Sequence, residues 1–243
     1  MSLPDSGHHL SDDLFAAEAP AESPRHGFRG DQAPIREAGH VPASLTIAIS
    51  REAGSRGGSI SRRAAKKLGW HVYNQELLEY IAQEGAFREG VAGGTGPAIV
   101  SWVTDRLEQL LREQNLSQHP SILELARIVL TLGAEGNVVL IGRGAGCILP
   151  PETTLHVRII APEADRVAYM SQWLRLTSEA AAEQVRLRDS RRAEFITTHF
   201  HRQPGDIYQY DLILNATLLG EDRCADLIVQ AARAKMATFV GAP

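Results

Sequence analysis

The sequence has too few cysteines for a disulfide framework or a cysteine-based metal site. Its two cysteines, Cys147 and Cys224, lie far apart and have none of the close spacings that bind zinc. So few cysteines, without a pairing pattern, are typical of proteins in the reducing cytoplasm, which is the location we predict. No apolar run approaches the roughly 20 residues that a membrane-spanning helix needs. The N-terminus also lacks the basic start and apolar stretch of a secretory signal.

A large excess of charge is also missing. The chain has 25 Lys and Arg against 29 Asp and Glu, a net charge of −4. Residues 1–43 hold seven acidic and three basic residues, so they carry the whole imbalance and the rest of the chain is neutral. A neutral domain has no general attraction for polyanions. We therefore expect small-molecule nucleotides as ligands, bound by local arginines and backbone N–H groups, and neither nucleic acid nor a membrane.

Residues 1–43 differ in composition and in hydrophobic pattern from the rest of the chain. They contain five of the twelve prolines and show no apolar period. Such a segment cannot bury enough apolar surface to offset the entropy lost on ordering. We predict a disordered N-terminal tail over 1–43 and a single folded domain over 44–238.

From residue 44 onward, short apolar runs alternate with stretches of helical period. The predicted strands are 45–49, 70–73, 138–141, 155–160 and 210–215. The predicted helices are 59–68, 75–84, about 98–115, 121–132, 163–174, 178–200 and 221–235. Alternation of this kind indicates right-handed crossovers, and hence an α/β fold with a mainly parallel sheet between two helical layers. Ligands of such sheets bind at the carboxyl ends of the strands.

A glycine-rich turn follows the first strand, in the position where backbone N–H groups and a helix N-terminus bind phosphate. It has no lysine, although the usual P-loop G-x-x-x-x-G-K-[ST] places one on the terminal phosphates. Arg51 or Arg56 could supply the missing charge, and Ser59 the hydroxyl that contacts magnesium. The alternative is that the glycines only form a tight turn. The candidate phosphate-binding residues are Arg51, Gly54, Ser55, Arg56, Gly57, Gly58 and Ser59.

Two further groups of arginines stand out. Arg143 lies between two glycines after the third strand, which lets a ligand approach the backbone there. Residues 186–192 contain four arginines in seven residues, with Asp189 and Arg192 one turn apart on a predicted helix. A solvated helix face is the usual fate of such a charge run. We favour phosphate binding, because four cations with one nearby anion repel each other until another anion arrives.

These motifs together resemble the cytidylate kinase-like branch of the nucleoside monophosphate kinases. Residues 49–60 resemble the family opening S-R-x-x-G-S-G-G-R-x-I, although Arg56 replaces a glycine and Gly58 the arginine. Residues 141–144 resemble its D-G-R-D turn without the two aspartates, and residues 155–166 the strand and helix start that follow it. Residues 186–192 resemble its lid, including a D-x-x-R pair. Asn74 stands where the family has an aspartate.

The resemblance implies a P-loop-like three-layer αβα fold with a helical lid over about 178–205. Its implied strand order is 70–73, 138–141, 45–49, 155–160 and 211–214. The implied activity is phosphoryl transfer from ATP, with magnesium held partly by Ser59, to a nucleoside monophosphate such as CMP. The implied acceptor-binding residues are Arg143, Asp189 and Arg192, and the residues that stabilise the transferring phosphate are Arg188, Arg191 and Arg192.

Two other functions stay open at this point. The missing lysine, the missing aspartates and Asn74 are consistent with a nucleotide-binding or regulatory module that has lost transfer chemistry. An interaction protein that recruits partners through residues 1–43 is a third reading. A homodimer is also possible, because the long helices predicted at 98–115 and 121–133 could pack within the domain or against a second copy.

Overall fold

The computed structural model describes residues 41–84 and 96–240, which contain one five-stranded parallel sheet. The strands are β1 (Thr46–Arg51), β2 (His71–Tyr73), β3 (Val138–Ile141), β4 (Thr154–Ile160) and β5 (Leu212–Asn215). Their order across the sheet is β2, β3, β1, β4, β5, and every neighbouring pair is parallel. The α/β class and the predicted strand order are therefore confirmed. The predicted tail lies outside the described residues up to position 40 and stays a prediction.

Nine helices within the described residues accompany the sheet. They are α1 (Gly57–Leu68), α2 (Gln75–Glu84), α3 (Pro97–Arg112), α4 (Pro120–Glu135), α5 (Ala145–Ile148), α6 (Glu163–Leu174), α7 (Ser178–Phe200), α8 (Ala216–Leu219) and α9 (Glu221–Val240). Short 3-10 turns cover Pro151–Thr153 and Ile207–Gln209. Among these described helices, none is long and apolar enough to cross a membrane.

The central strand β1 is buried on both faces, as its continuous apolar run predicts. Ile47 and Ile49 pack with α1 and α9 on one face, where Val139 and Val157 of the neighbouring strands join them. Ala48 points to the other face, into the core built by α2 to α5 and the end of α7. Helices on both faces of one sheet make the three-layer arrangement that was predicted.

Several boundaries differ from the predicted ones by a few residues, for local reasons. Helices α3 and α4 each begin at a proline, whose fixed φ suits the first helical position. The prediction that the first of these helices runs to 115 was wrong, because α3 ends at Arg112 and Gln114 has a left-handed φ of 55°. Strand β5 begins at Leu212 and not at 210, because the Asp211 carboxylate accepts the His156 N–H group at 2.7 Å.

The long helix α7 carries most of the predicted lid, and its end is anchored in the core. Phe200 is fully buried against Gly144, where any side chain would collide with the phenyl ring. His201 is exposed and has a left-handed φ of 53° that ends the helix. His199 is half-buried, and its ring contacts the Phe195 ring at 5.0 Å between centroids. The lid helix is therefore tied down at its C-terminal end.

Candidate functional site

The glycine loop, residues 52–58, runs from the carboxyl end of the central strand β1 into the first turn of α1. Arg56 precedes the helix with a left-handed φ of 60°, and no side chain caps the helix N-terminus. Gly57 allows the loop to approach Arg51, since a Cβ at position 57 would lie 2.6 Å from Cβ of Arg51. The buried Ser55 hydroxyl donates to the Glu52 carbonyl at 2.9 Å and ties the loop together. An uncapped helix N-terminus with glycines at its start suits an anion.

A shallow pocket lies beside this loop at the carboxyl ends of β1, β4 and β5, where parallel sheets bind ligands. Its lining residues are Gly54, Ser55, Arg56, Ala161, Asp165, Ala216 and Thr217. The Glu52 carboxylate does not line this pocket, because it accepts the Ala161 N–H group at 3.1 Å and lies 3.6 Å from the Arg158 guanidinium. The Glu52 carboxylate is therefore held away from this pocket.

Two residues predicted to act on donor phosphates and magnesium contact a carboxylate of α9. The Ser59 hydroxyl donates to Glu221 at 2.5 Å, and the Arg56 guanidinium lies 4.0 Å from the same carboxylate. Arg56 also lies over the Tyr169 ring at 5.1 Å from its centroid. Glu221 therefore competes with any anion for Arg56. The structure describes no group of three metal-binding side chains among residues 41–84 and 96–240.

Arg51, Arg143 and Arg192 form what we call the arginine cluster, beside the glycine loop. Arg192 Nη1 donates to the Arg51 carbonyl at 3.3 Å. The Arg51 guanidinium lies directly over Gly142, where any side chain would collide with it. Burial and, to a smaller extent, the charges of Arg192 and Arg143 together lower the pKa of Arg51 to about 9, against the opposing effect of Glu76. Burial also lowers the pKa of Arg192.

The cluster therefore holds like charges close together, with the Arg51 and Arg192 side chains largely removed from water. Arginine side chains keep their protons in proteins, so neutralisation does not relieve this repulsion. An anion bound between the guanidinium groups would relieve it. Arg51, predicted as a donor-phosphate residue, lies with the predicted acceptor residues Arg143 and Arg192 and so connects the two parts of the site.

Helix α2 brings two carboxylates to the arginine cluster that the sequence did not single out. Glu79 forms an ion pair with Arg143, whose guanidinium also lies over the Phe195 ring at 4.8 Å from its centroid. Glu76 favours the charged forms of Arg51 and Arg192. The two carboxylates are one helical turn apart, a spacing that places them on one face of α2. The periodicity of 75–84 predicted this helix, but only its packing shows which arginines it faces.

The predicted lid residues separate into two groups. Asp189 faces the glycine loop, because its carboxylate accepts the Ala53 N–H group at 2.7 Å and lies 3.8 Å from Arg192. Arg188 donates to the Met170 sulfur at 4.0 Å on α6, and Arg191 is exposed. In this conformation Asp189 and Arg192 reach the site, whereas Arg188 contacts the neighbouring helix.

Arg166, at the start of α6, links the lid to the glycine loop. It donates to the Ala53 carbonyl at 3.2 Å and to Asp189 at 2.5 Å. Its Nε also lies 3.5 Å from the Glu52 carboxylate. Sequence reasoning placed Arg166 in a family motif without giving it a role. Its position after a buried strand and a proline was the available signal, since the carboxyl end of a strand is where sites form.

Two amide residues at strand ends have local structural roles. The Asn74 side chain accepts the Leu77 N–H group at 2.9 Å and caps α2. The Asn215 side chain accepts the N–H groups of Thr217 and Leu218 at 3.1 and 3.3 Å. Capping oxygens of this kind satisfy the free N–H groups of a helix start. Asparagine performs this role as well as aspartate, which gives a physical reason for Asn74.

Comparisons with known proteins bear on the family and the fold of this chain. The model of the family described as cytidylate kinase-like matches residues 46–218. An uncharacterized protein from Eubacterium ventriosum ATCC 27560 has a similar structure, with a TM-score of 0.55, 18% identity, and 79% of this chain and 99% of that chain covered. A shikimate kinase from Bacteroides thetaiotaomicron has a TM-score of 0.41 at 17% identity, with 78% and 97% covered. At such identities the Eubacterium protein shows the fold alone.

A curated relative named uronate isomerase, from Corynebacterium glutamicum, is 34% identical over 104 residues. The matched stretch is 43% of this chain, and the chain spans only 20% of the length of that relative.

Proposed function

This chain belongs to the cytidylate kinase-like family, and on that premise we propose that it transfers a phosphoryl group from ATP to a nucleoside monophosphate such as CMP. Family membership supports a nucleotide kinase-type function in general. The observation that carries the more specific proposal is the arginine cluster, which lies beside the glycine loop at the carboxyl ends of β1 and β3. One anion-binding loop and one group of cations, side by side, suit two phosphorylated substrates.

In the proposed reaction an oxygen of the CMP phosphate attacks the γ-phosphorus of ATP. The bond from that phosphorus to the bridging oxygen of the β-phosphate breaks, and the products are CDP and ADP. The glycine loop and the N-terminus of α1 hold the donor phosphates. Arg143 and Arg192 hold the acceptor phosphate, and Arg51 lies between the two phosphates and stabilises the charge that develops there. Catalysis of this kind depends on positioning and electrostatics, without a covalent enzyme intermediate.

Magnesium would be held mainly by the nucleotide phosphates, as is usual for this ion, and would neutralise part of their charge. Ser59 is the side chain that we propose as its protein contact. Its hydroxyl would then have to turn away from Glu221, to which it donates. Arg188 and Arg191 remain proposed contacts of the transferring phosphate, and both would need the lid to move relative to the described conformation.

A second function is favoured by the carboxylates that contact the predicted phosphate ligands. Glu221 contacts Ser59 and Arg56, and Glu79 contacts Arg143. Together with the missing lysine, these contacts suit a module that binds a nucleotide and reports its presence without turnover. The two functions differ in whether the bound nucleotide reacts.

The test is a turnover and binding experiment on the full chain. Purified protein is incubated with ATP, magnesium and each common nucleoside monophosphate, and formation of diphosphates is followed by chromatography. Calorimetry measures the affinity for each nucleotide separately. The kinase proposal expects CDP formation that Arg143→Ala abolishes. ATP binding without any diphosphate product would favour the regulatory module, and absence of any nucleotide binding would contradict both.

A further inference from the structure

Both backbone polar groups of Ala53, in the glycine loop, are held by side chains from outside the loop. The Ala53 N–H group donates to Oδ1 of Asp189 on α7 at 2.7 Å. The Ala53 carbonyl accepts from Nη1 of Arg166 on α6 at 3.2 Å. Arg166 Nη1 and Asp189 Oδ2 are themselves 2.5 Å apart. The orientation of the peptide groups on both sides of Ala53 is therefore set by one arginine and one carboxylate.

The two side chains differ in how they are anchored. Arg166 is fixed at the end of β4, because its Nε donates to the Ala161 carbonyl at 3.0 Å and its side chain is only 12% exposed. Its backbone packs directly on Gly54, where a Cβ would lie 2.6 Å from the Arg166 carbonyl oxygen. Asp189 belongs to α7, the helix of the proposed lid. Arg166 is thus a fixed point beside the loop, and Asp189 arrives with the lid helix.

A largely buried ion pair is stable only when further hydrogen bonds satisfy both partners, because removing two charges from water is costly. Here the further hydrogen bonds go to Ala53, so the pair and the peptide groups stabilise each other. A loop that binds phosphate does so by the direction of its N–H groups. Turning the peptide groups at Ala53 would change the direction of those that follow at Gly54 and Ser55.

We infer that Arg166 and Asp189 are positioning residues that couple closure of the lid to the ordering of the glycine loop. The inference rests on the proposed function, in that the loop is taken to hold the donor phosphates. Asp189 then acts on the donor side of the site, in addition to the acceptor-binding role that the family resemblance implies for it. With the lid open, the Ala53 N–H group loses Asp189, and Arg166 loses the carboxylate that pairs with it. The loop is then held by Arg166 alone, and its affinity for the donor falls.

The chain contains a matched control for this inference. Arg186 on α7 lies 3.8 Å from Glu163 on α6, so it joins the same two helices by the same type of ion pair. That pair is 68% and 58% exposed. Surface pairs of this kind contribute little to stability. If any ion pair between α6 and α7 affected the loop, variants of both pairs would change its hydrogen exchange. If the contacts with Ala53 matter, only variants of Arg166 and Asp189 should do so.

The test uses Arg166→Lys, which keeps the charge but loses the fork geometry, Asp189→Ala, and the double variant, with Arg186→Lys as control. Amide hydrogen exchange of the nucleotide-free protein is followed at Ala53, and ATP affinity is measured by calorimetry. We expect each single variant to accelerate exchange at Ala53 and to weaken ATP binding by about tenfold or more. The double variant should bind ATP no more weakly than the single variant with the lower affinity, because the losses from two partners in one network do not add.

Equal exchange at Ala53 in wild type and both single variants would overturn the coupling, as would fully additive losses in the double variant. The exchange measurement needs no nucleotide, so it separates this inference from the proposed function. If the wild-type protein binds no ATP while the variants accelerate exchange at Ala53, the coupling stands and the kinase proposal fails. If ATP binds equally well to all five proteins, the coupling fails and the donor site stands.

Discussion

Replacement of Arg192 by alanine tests the lid most directly, because this arginine joins the lid helix to the arginine cluster. Its contacts in the folded protein are modest: one hydrogen bond of 3.3 Å to the Arg51 carbonyl and a distance of 3.8 Å to Asp189. A hydrogen bond of this kind contributes about 1 kcal/mol. Part of that loss is offset, because the repulsion between Arg192 and Arg51 also disappears. The expected melting temperature therefore changes by only about 2 to 4 °C.

The expected effect on the reaction is much larger. A hydrogen bond to a charged group is worth about 1.5 to 3 kcal/mol, which corresponds to a loss of about 10- to 150-fold in acceptor affinity. If Arg192 acts on the transition state, turnover falls by about a thousandfold or more, as for arginines in other phosphoryl transfer reactions. A charged residue on the exposed part of the same helix, Arg186, supplies the control, and Arg186→Ala should change neither quantity.

The assay measures nucleotide affinity and turnover of wild type, Arg192→Ala and Arg186→Ala at two salt concentrations. Salt screens exposed charges, while contacts to phosphate in a dry site persist. The difference between wild type and Arg192→Ala should therefore survive at high salt. Equal affinity and equal turnover in these two proteins would refute the lid assignment and remove most of the support for a kinase.

Three further perturbations have defined outcomes. Glu79→Gln should tighten CMP binding by about three- to tenfold, because it removes the carboxylate that contacts Arg143, and such a pair is worth about 1 kcal/mol. Weaker CMP binding by this variant would mean that Glu79 orients Arg143 for the ligand. Burial lowers the pKa of His156 from 6.5 to about 4 in the folded protein. On acidification, His156 is therefore protonated at a higher pH in the unfolded chain than in the folded one. Stability should then fall by roughly 3 kcal/mol between pH 6.5 and 4, and His156→Gln should flatten this dependence. Deletion of residues 1–40 should leave the melting temperature within a few degrees in thermal denaturation, and a loss of several kcal/mol would show that this segment packs with the domain.

The sheet could be predicted from the sequence because its signals are local. The runs at 45–49 and 138–141 are apolar on both faces, which indicates strands covered by helices, and the family resemblance supplied the strand order. Helix ends were less well predicted. The C-terminus of α3 depends on the left-handed conformation of Gln114, which no periodicity shows.

The side-chain partners of the site could not be predicted in the same way. Ser59 contacts Glu221, which is 162 positions away, and the Ala53 N–H group contacts Asp189, which is 136 positions away. Such pairs depend on the packing of α1 against α9 and of α7 against the loop, so a one-dimensional pattern does not show them. The sequence therefore indicated which cations gather at the strand ends, but the carboxylates that face them emerged only from the three-dimensional arrangement.

Arg143 has a left-handed backbone with a φ of 49° between two glycines whose φ values are 81° and 70°. For a residue with a side chain this conformation costs about 1 to 2 kcal/mol, and asparagine adopts it more readily than arginine. Backbone strain alone would therefore favour asparagine at this position. The contacts of the guanidinium group with Glu79 and with the Phe195 ring, and a continuing need for that group in anion binding, would oppose the change. An asparagine here in a heat-adapted descendant would thus mark a lineage in which the anion-binding role had been abandoned.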